Sequence, residues 1–390
     1  MQKIKNNNLV VAIYYHPEVF PPTLNAIGEL SMIFDNIEVI YRPNATGDWS
    51  YPANVTTIAS GEYISGNEQM KAKGLSKVSF FKKYTSDLLK SCRRNKPVCI
   101  LLYDPLALLS YYLIRPLLRF EHKTWYHNHD VFEEKLIRKY SLTWYAKKVE
   151  FSFLKKLDIF TLPTDERLTY FNMNEFKGKY FCIPNYPSLQ FYKQFYKEKK
   201  LNGEMRIIYQ GRIGKDHGIE EIIPLLKKSV FDFKLKLILK GYCDDSYRKE
   251  IEKLAAFNEV QNSIEFYGYT SYRNVPLIAS NCHVGIGIFA KRNVMNDTLG
   301  TASNKVYEYA ACGLPVLYLG SSGLKKYLDE FSWAFPVELS TSSIRREIEN
   351  IAADYGNYSN AAYSSFCEKL HFEYSFETVK DYVRLICNLN

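Results

Sequence analysis

The chain alternates short apolar runs with longer amphipathic segments, and this alternation predicts its secondary structure. Runs such as LVVAIYY are continuously apolar, which is typical of strands buried in a parallel sheet. Segments with apolar residues at helical spacing separate these runs. The first half predicts strands at 9–15, 36–42, 54–60, 97–104, 123–130, 158–164 and 180–187. It predicts helices at 23–34, 75–95, 105–120 and 140–156, with a proline at 116 that kinks or ends the third.

Residues 188–204 interrupt this rhythm with a polar, aromatic and lysine-rich segment. The alternation then resumes, with helices between strands at 205–211, 233–241, 263–269, 283–289, 316–320 and 333–339. Strands that alternate with helices are typical of α/β domains with parallel sheets. We therefore predict two doubly wound, Rossmann-like α/β domains that face each other across a cleft. The expected boundaries are 1–190 for the first domain, 191–204 for the linker and 205–372 for the second domain.

The stretch Ser303–Val316 combines a helix, a stop signal and a strand. Apolar residues recur at helical spacing from Val306, and Gly313 ends the pattern. The N-terminus of such a helix suits a phosphate, and a carboxylate one turn further on, at Glu308, is able to accept hydrogen bonds from sugar hydroxyls. The alternative is an ordinary amphipathic helix with Lys305 and Glu308 on its solvent-exposed face.

Composition and charge add a compartment and a candidate surface. Eight cysteines without CxxC spacing favour reduced thiols and a cytoplasmic protein. No apolar run reaches the roughly 18 residues of a membrane span, and the N-terminal run is interpreted as a strand rather than a signal peptide. Residues 71–96 hold nine lysines and arginines against one acid. Lys71–Lys96 is either a solvated basic helix or a patch for an anionic partner, for which we expect a membrane surface rather than nucleic acid.

Polar residues follow the strands of the second half, at the edge where α/β sheets bind ligands. YQGRIGKDHG combines a glycine turn at Gly211 with two cations, Arg212 and Lys215, before a predicted helix. Such a turn suits a phosphate, although it matches neither GxGxxG nor a Walker loop. FYGYTSY offers Tyr269 for contact with a nucleotide base. The long polar loop AKRNVMNDTLGTAS is typical of a binding loop.

Four segments, in their order along the chain, resemble the donor-binding domain of GT-B glycosyltransferases. They are YQGRI…HGIEEII, EFYGY, HVGIGIF and SNKVYEYAACGLPV. The resemblance is to the retaining family 4 enzymes, also called glycosyltransferase group 1. WYHNHDVFEE and IPNYP resemble stretches of the family's N-terminal half more loosely. The resemblance implies a GT-B fold, in which residues 373–390 form a helix that packs back on the first domain.

The resemblance also assigns donor-site roles in the second half. Family members hold the diphosphate of a nucleotide sugar with an arginine, matched by Arg212, and a lysine. His217 stands at the usual position of that lysine, so the nearby Lys215 is expected to substitute for it. Of two family glutamates, Glu308 matches the one that binds the ribose hydroxyls, whereas Gly300 replaces the other. Further donor contacts are expected from Gly211, Tyr269, Ser303, Asn304 and Lys305.

In the first half, the resemblance implies that His129 reaches the donor sugar, and His129 joins Arg212 and Lys215 as a candidate catalytic residue. Asp130 and Asn25 are expected to contact the acceptor or the sugar. The HNHD segment also admits a metal site, but no HExxH motif or cysteine cluster completes a ligand set. We therefore expect no metal and no cofactor, with the cations taking the role of Mg²⁺.

The implied activity is a retaining glycosyl transfer. A sugar would move from a nucleoside-diphosphate sugar to a saccharide or lipid-linked acceptor, in cell-surface polysaccharide or lipopolysaccharide synthesis. The enzyme would be cytoplasmic, with peripheral attachment to the inner face of the cell membrane, which the basic segment 71–96 and the apolar helix 105–120 would fit. Two alternatives stay open: a nucleotide-sugar epimerase of the same fold, and a non-catalytic nucleotide-sugar binder, which the missing glutamate at position 300 suggests.

Overall fold

The computed structural model describes residues 7–71, 74–131, 134–290 and 293–389. The chain divides into two compact units, each built around a parallel sheet. The first unit contains the residues up to Pro184 together with those from Ser375 onward, and the second contains Asn185–Tyr374. The segment 191–204, for which a linker was predicted, lies within the second unit.

The sheet of the first unit has seven parallel strands among the described residues, in the order β3-β2-β1-β4-β5-β6-β7. The strands are β1 (Asn8–Ile13), β2 (Asn36–Tyr41), β3 (Val55–Ala59), β4 (Cys99–Tyr103), β5 (Lys123–His127), β6 (Ile159–Leu162) and β7 (Lys179–Cys182). The helices between them are α1 (Pro21–Leu30), α2 (Gly66–Lys71), α3 (Gly74–Asn95), α4 (Asp104–Ile114) and α5 (Leu142–Phe153). As predicted, α4 stops before Pro116, which lies in a 3-10 turn.

The register of the first sheet brings three strand ends together. Ile13 at the end of β1 pairs with Tyr103 at the end of β4, and Tyr103 pairs with His127 at the end of β5. The strand order changes direction between β1 and β4, because β2 and β3 lie on one side and the later strands on the other. Such a switch point leaves a crevice at the carboxyl ends of the strands.

The sheet of the second unit has six parallel strands in the described residues, in the order β10-β9-β8-β11-β12-β13. Its elements begin with α6 (Leu189–Tyr192), β8 (Glu204–Gln210), α7 (Ile219–Ile222), β9 (Lys234–Lys240), α8 (Asp245–Phe257), β10 (Ile264–Gly268) and α9 (Val275–Ala279). They continue with β11 (Val284–Gly287), α10 (Val294–Asp297), α11 (Asn304–Ala311), β12 (Val316–Leu319), α12 (Lys325–Leu328), β13 (Ala334–Val337), α13 (Thr341–Ala353) and α14 (Tyr355–Glu368). The switch point of this sheet lies between β8 and β11.

Two helices depart from their predicted bounds. The helix expected after Gly218 is only one turn long, because Pro224 lacks the N–H that an α-helix needs and the chain continues as a 3-10 turn. The last helix, α15 (Phe372–Cys387), begins earlier than predicted. Its Lys380 ammonium lies 2.8 Å from the Glu29 carboxylate of α1, and both residues are buried.

Each unit has its own apolar core between sheet and helices. The core of the first unit joins β1, β4, β5 and β6 to α3, α4 and α5. The core of the second unit joins β8, β9 and β11 to α7, α8 and α13. None of the helices in the described residues is both long enough and apolar enough to cross a membrane. The two parallel sheets, each packed against helices, confirm the predicted α/β fold class.

Candidate functional site

Glycines follow two neighbouring strands of the second unit, β8 and β9, and let their backbones meet. Gly211 follows β8 with a φ of 120°, and Gly241 follows β9 with a φ of 133°. A Cβ on Gly241 would lie 1.8 Å from the carbonyl oxygen of Gly211, so no side chain fits there. The Gly211 N–H donates to the carbonyl of Lys240 at 2.9 Å. The result is an open backbone floor at the carboxyl ends of β8 and β9.

The ammonium of Lys305, from the first turn of α11, lies above this floor. It lies 3.0 Å from the Tyr209 hydroxyl, and the ring centroids of Tyr209 and Phe289 are 4.3 and 4.6 Å away. A Cβ on Gly211 would come within 3.1 Å of the ammonium nitrogen. Burial lowers the pKa of Lys305 from 10.5 to about 7, against the opposing effect of Glu308. No carboxylate of the described residues forms an ion pair with this cation.

Glu308, one turn further along α11, is 6% exposed. Its carboxylate accepts a 2.5 Å hydrogen bond from the side-chain amide of Gln210, the last residue of β8. Burial raises the pKa of Glu308 from 4.5 to about 7, although the neighbouring Lys240 opposes that rise. All residues from Val306 to Ala311 are buried, so the alternative of an amphipathic helix with Glu308 in solvent is wrong.

The N-terminus of α11 has polar atoms without partners. Ser303 occupies the N-cap position but its hydroxyl does not cap the helix. The Ser303 hydroxyl and the side-chain carbonyl oxygen of Asn304 are buried and find no hydrogen-bond partner in the described ranges. The side-chain carbonyl oxygen of Gln210 is also buried and has no hydrogen-bond partner in these ranges. Buried polar atoms are nearly always satisfied, so such a cluster indicates a ligand that supplies the missing bonds.

Asn185 fixes the turn that leads into α11. Its N–H donates to the Thr301 carbonyl and its side-chain amide donates to the Ala302 carbonyl, both at 2.9 Å. The next residue, Tyr186, packs its ring against Tyr307 with centroids 4.6 Å apart. The IPNYP segment therefore positions the start of α11, a role that the sequence analysis did not assign to it.

The two loop cations lie further out than Lys305. Arg212 has a side chain that is 78% exposed and lies 3.5 Å from the carboxylate of Asp244. Lys215 is 63% exposed and forms a 2.8 Å ion pair with Glu250 of α8. The predicted base contact, Tyr269, is also exposed after β10. The structure thus groups five predicted residues at the carboxyl ends of the strands of the second unit: Gly211, Ser303, Asn304, Lys305 and Glu308. Three others lie further out and are exposed to solvent: Arg212, Lys215 and Tyr269.

His217, which stands where the family lysine is usual, is partly buried. Its ring stacks on Tyr209 with centroids 4.7 Å apart, and its Nδ1 lies 3.1 Å from the Ile288 carbonyl oxygen. Burial and the nearby Lys305 lower the pKa of His217 to about 4. A histidine with this pKa is neutral at pH 7, and the cation that contributes to lowering its pKa is Lys305.

In the first unit, His129 lies just beyond the carboxyl end of β5, the strand next to β4. Its ring is held between Phe20 and Tyr103, with centroids 4.2 and 4.9 Å away. Its Nδ1 lies 2.9 Å from one Asp104 carboxylate oxygen, and its backbone N–H donates to the other at 2.9 Å. Its Nε2 lies 3.0 Å from the Thr23 hydroxyl. These contacts fix both the tilt and the hydrogen-bonding pattern of the imidazole.

The sequence analysis missed Asp104, which has a φ of 67° although it is not a glycine. Such backbone strain at a strand end is frequent at functional sites. An aspartate directly after an apolar strand was the available signal. Asp130 lies 3.6 Å from the buried Arg167, and burial raises the pKa of its carboxyl against the effect of that arginine. Asn25 is a buried residue of α1.

The structure also bears on the metal alternative for the HNHD segment. The rings of His127 and His129 are 4.7 Å apart, but their Nδ1 atoms contact Thr161 and Asp104, respectively. In the described parts of the chain, no group of three or more histidine, cysteine, aspartate or glutamate side chains is arranged to hold a metal ion.

Residues 191–365 match the family model described as glycosyl transferases group 1. The matched range contains the residues grouped above at the carboxyl ends of the strands, from Gly211 to Glu308. No curated protein sequence matches the chain at a significant level.

Solved structures resemble the chain over almost its full length. Sucrose-phosphate synthase from Thermosynechococcus elongatus is 14% identical with a TM-score of 0.67, and the alignment covers 98% of this chain and 100% of that one. HepE from Anabaena in complex with UDP-glucose is 10% identical with a TM-score of 0.64 and coverages of 96% and 99%. WaaG, a glycosyltransferase involved in lipopolysaccharide biosynthesis, is 13% identical with a TM-score of 0.59 and coverages of 96% and 99%. These similarities establish the GT-B fold.

Proposed function

We infer a sugar-transferring activity from the premise that residues 191–365 belong to the glycosyl transferases group 1 family. The proposed reaction transfers a sugar from a nucleoside-diphosphate sugar to a saccharide or lipid-linked acceptor, with retention of anomeric configuration. The observation that carries the proposal is the cluster at the start of α11, where the Lys305 ammonium, an uncapped helix N-terminus and a buried carboxyl at Glu308 surround unsatisfied polar atoms.

The diphosphate is assigned to the α11 N-terminus and Lys305. In this transfer, negative charge develops on the leaving diphosphate, and catalysis needs positive groups at that point. The Lys305 ammonium and the free N–H groups of α11 provide them, and Gly211 leaves room for phosphate oxygens. A diphosphate beside Lys305 raises the pKa of the lysine, so the bound donor keeps the ammonium protonated. Arg212 would add a second positive charge if its guanidinium moved from Asp244 to the diphosphate.

The ribose is assigned to Glu308. A buried carboxylate beside a nucleotide accepts hydrogen bonds from adjacent hydroxyls, which compensates for its loss of water. Glu308 already uses one oxygen for Gln210, so its other oxygen is the one offered to the ribose. Similarity to HepE, which was solved with UDP-glucose, supports a uridine or related nucleotide as the first to test.

His129 is proposed to contact the donor sugar, with Asp104 as its positioning residue. Asp104 accepts hydrogen bonds from the backbone N–H and from Nδ1 of His129, which fixes the ring. The donor sugar would then take the place of the Thr23 hydroxyl at Nε2. We propose that the reaction needs no metal ion, because Lys305 and the helix N-terminus would neutralise the diphosphate charge that Mg²⁺ neutralises in other transferases. Asp130 and Asn25 are proposed to contact acceptor or sugar.

The acceptor and the pathway are proposed at a coarser level. Similarity to WaaG supports a saccharide or lipid-linked acceptor of cell-surface polysaccharide or lipopolysaccharide synthesis. Such an acceptor fits a cytoplasmic enzyme attached peripherally to the inner face of the cell membrane, which was predicted to involve residues 71–96. Of these residues, Ala72 and Lys73 lie outside the described residues.

Calorimetric titration with nucleosides, nucleoside diphosphates and nucleotide sugars tests the donor site. We expect the diphosphate to bind more tightly than its nucleoside, with and without EDTA. Lys305→Met should weaken the diphosphate about 10- to 100-fold, because a charge-assisted contact is lost, and should leave the nucleoside unchanged. Lys215→Met, a matched change at the exposed loop cation, should have a smaller effect.

Analysis of the reaction products separates the activities. A new glycoside of retained configuration supports the proposal, whereas an isomerised donor would identify an epimerase. Donor binding without turnover across a panel of lipid-linked and free saccharides would identify a non-catalytic binder. If no nucleotide binds the wild-type protein, the assignment of the α11 cluster as a donor site is wrong.

A further inference from the structure

The outward faces of α4 and α5 combine exposed apolar side chains with cations. On α4 and the turn after it, Tyr112, Leu113 and Leu117 are between 44% and 51% exposed. On α5, Tyr145 is 48% and Phe151 is 64% exposed. The two helices pack side by side, so these residues lie on one side of the first unit. We call this surface the α4–α5 face.

The helices of the α4–α5 face carry more positive than negative charge. Residues 104–119 and 142–156 contain six lysines and arginines and only two acids, Asp104 and Glu150. Both acids are buried, and Glu150 is used inside the fold by the hydroxyl of Tyr126. Lys147 is largely buried and pairs with Glu150, and Lys155 pairs with the exposed Glu175. The cations of this face without an ion pair in the described residues are Arg115, Arg119, Lys148 and Lys156.

Aromatic rings beneath the cations give the face the character of an interface with lipid. The Phe153 ring lies 5.6 Å from the Tyr112 ring, 5.6 Å from the Arg115 guanidinium and 5.9 Å from the Lys156 ammonium. Lys148 lies 5.6 Å from the Trp144 ring centroid. Long cationic side chains that lie along aromatic rings, next to exposed leucine and phenylalanine, suit the boundary between headgroups and acyl chains.

We propose that the first unit docks onto an anionic lipid bilayer through the α4–α5 face. The exposed leucines and phenylalanine enter the acyl boundary while the cations meet anionic headgroups. The partner is a bilayer rather than a nucleic acid, because the exposed side chains between the cations include leucines, which offer nothing to a base or a phosphate. Peripheral attachment was proposed above for residues 71–96, and this inference assigns it to the α4–α5 face instead. Docking of this kind requires neither donor nor acceptor.

The basic helix α3 is the competing surface, and its charges are partly neutralised. Asp87 lies 2.6 Å from the Lys83 ammonium and 3.9 Å from that of Lys90, and Arg94 pairs with Glu38. Its exposed large apolar side chains, Leu75 and Val78, stand only in its first turns. Both surfaces are basic, but only the α4–α5 face offers several exposed apolar side chains together with the charge.

Co-sedimentation with vesicles tests the proposal. Vesicles of phosphatidylcholine alone are compared with vesicles that also contain phosphatidylglycerol, using the full chain. The charge variant is Lys148→Gln/Lys156→Gln. Each cation near an anionic surface contributes about 1 kcal/mol, so its affinity for anionic vesicles should fall about 30-fold. The matched control on α3, Lys82→Gln/Arg93→Gln, should keep the wild-type affinity within about 3-fold.

A second variant tests insertion without a change in charge. Leu113→Ser/Phe151→Ser should weaken binding to anionic vesicles about tenfold or more, because two exposed apolar groups no longer enter the bilayer. Both positions are exposed, so the fold should persist, and an unchanged midpoint of urea unfolding would verify this. Absence of binding by the wild type, or loss of binding in the α3 control with retention in both α4–α5 variants, would overturn the proposal. Neither result depends on whether the protein transfers a sugar.

Discussion

Replacing Lys305 by methionine should make the second unit more stable. The ammonium is buried against two rings and has no carboxylate partner in the described residues. Since a tenfold change in proton affinity corresponds to about 1.4 kcal/mol, a fall of the pKa from 10.5 to about 7 costs the folded state up to about 5 kcal/mol. The cation–π contacts and the Tyr209 hydroxyl return about 2 kcal/mol. We therefore expect Lys305→Met to raise the free energy of unfolding by about 2–3 kcal/mol at about pH 6.

The pH dependence identifies the source of that gain. Between about pH 7 and 10.5 the unfolded chain keeps the Lys305 proton while the folded chain has lost it, so wild-type stability rises with pH through this range. The variant has no such group. Its advantage over the wild type should therefore shrink to less than about 1 kcal/mol at about pH 9.

Urea unfolding, followed at about pH 6 and pH 9, measures both values. Lys215→Met is the matched control, because it removes an exposed lysine from the neighbouring loop and should leave stability unchanged. A variant that is less stable than the wild type at the lower pH would refute the reasoning. So would a gain of equal size at both pH values, since that would come from packing rather than from an unfavourable buried charge.

Three further predictions concern other buried groups. Glu308 has a pKa that burial raises to about 7, so wild-type affinity for a nucleoside should rise between about pH 6 and pH 8, and calorimetry of Glu308→Gln should show a flat profile. Gly285→Ala places a Cβ 2.2 Å from a tyrosine ring carbon of α11 and should cost about 1–3 kcal/mol in urea unfolding, whereas Gly214→Ala, with nothing within 4 Å, should cost little. Lys380→Met leaves the buried Glu29 carboxylate unpaired and should lower the free energy of unfolding by about 3–5 kcal/mol. The double variant Lys380→Met/Glu29→Gln should recover part of this loss. Equal losses in the single and double variants would contradict the ion pair.

The apolar pattern was sufficient to predict the sheets because parallel strands are buried on both faces. Continuous runs such as CILLY at β4 leave no polar residue to fit another element. Proline at 116 and glycine at 313 marked helix ends through their own backbone chemistry. These features depend on a few neighbouring residues, so the sequence contains all the information they need.

The depth of the site depends on contacts between distant segments, which periodicity does not record. The YEYAA pattern of α11 is compatible with a carboxylate in solvent, and only the Gln210 amide and the neighbouring strands enclose Glu308. Similarly, the pairing of Asp104 with His129 follows from the register of β4 and β5. The sequence does not distinguish the surroundings of Lys215 from those of Lys305. The structure shows that Lys215 forms an exposed ion pair, whereas Lys305 is a buried cation.

The charges at the start of α11 are arranged for a ligand rather than for stability. Without one, Lys305 and Glu308 both have a pKa of about 7, because burial disfavours the charged form of each. A diphosphate would favour the ammonium, and ribose hydroxyls would favour the carboxylate. Donor binding should therefore release part of the energetic cost of burying these groups, and this release adds to the direct contacts. The same argument explains why Lys305→Met should stabilise the second unit while it weakens the binding of a diphosphate.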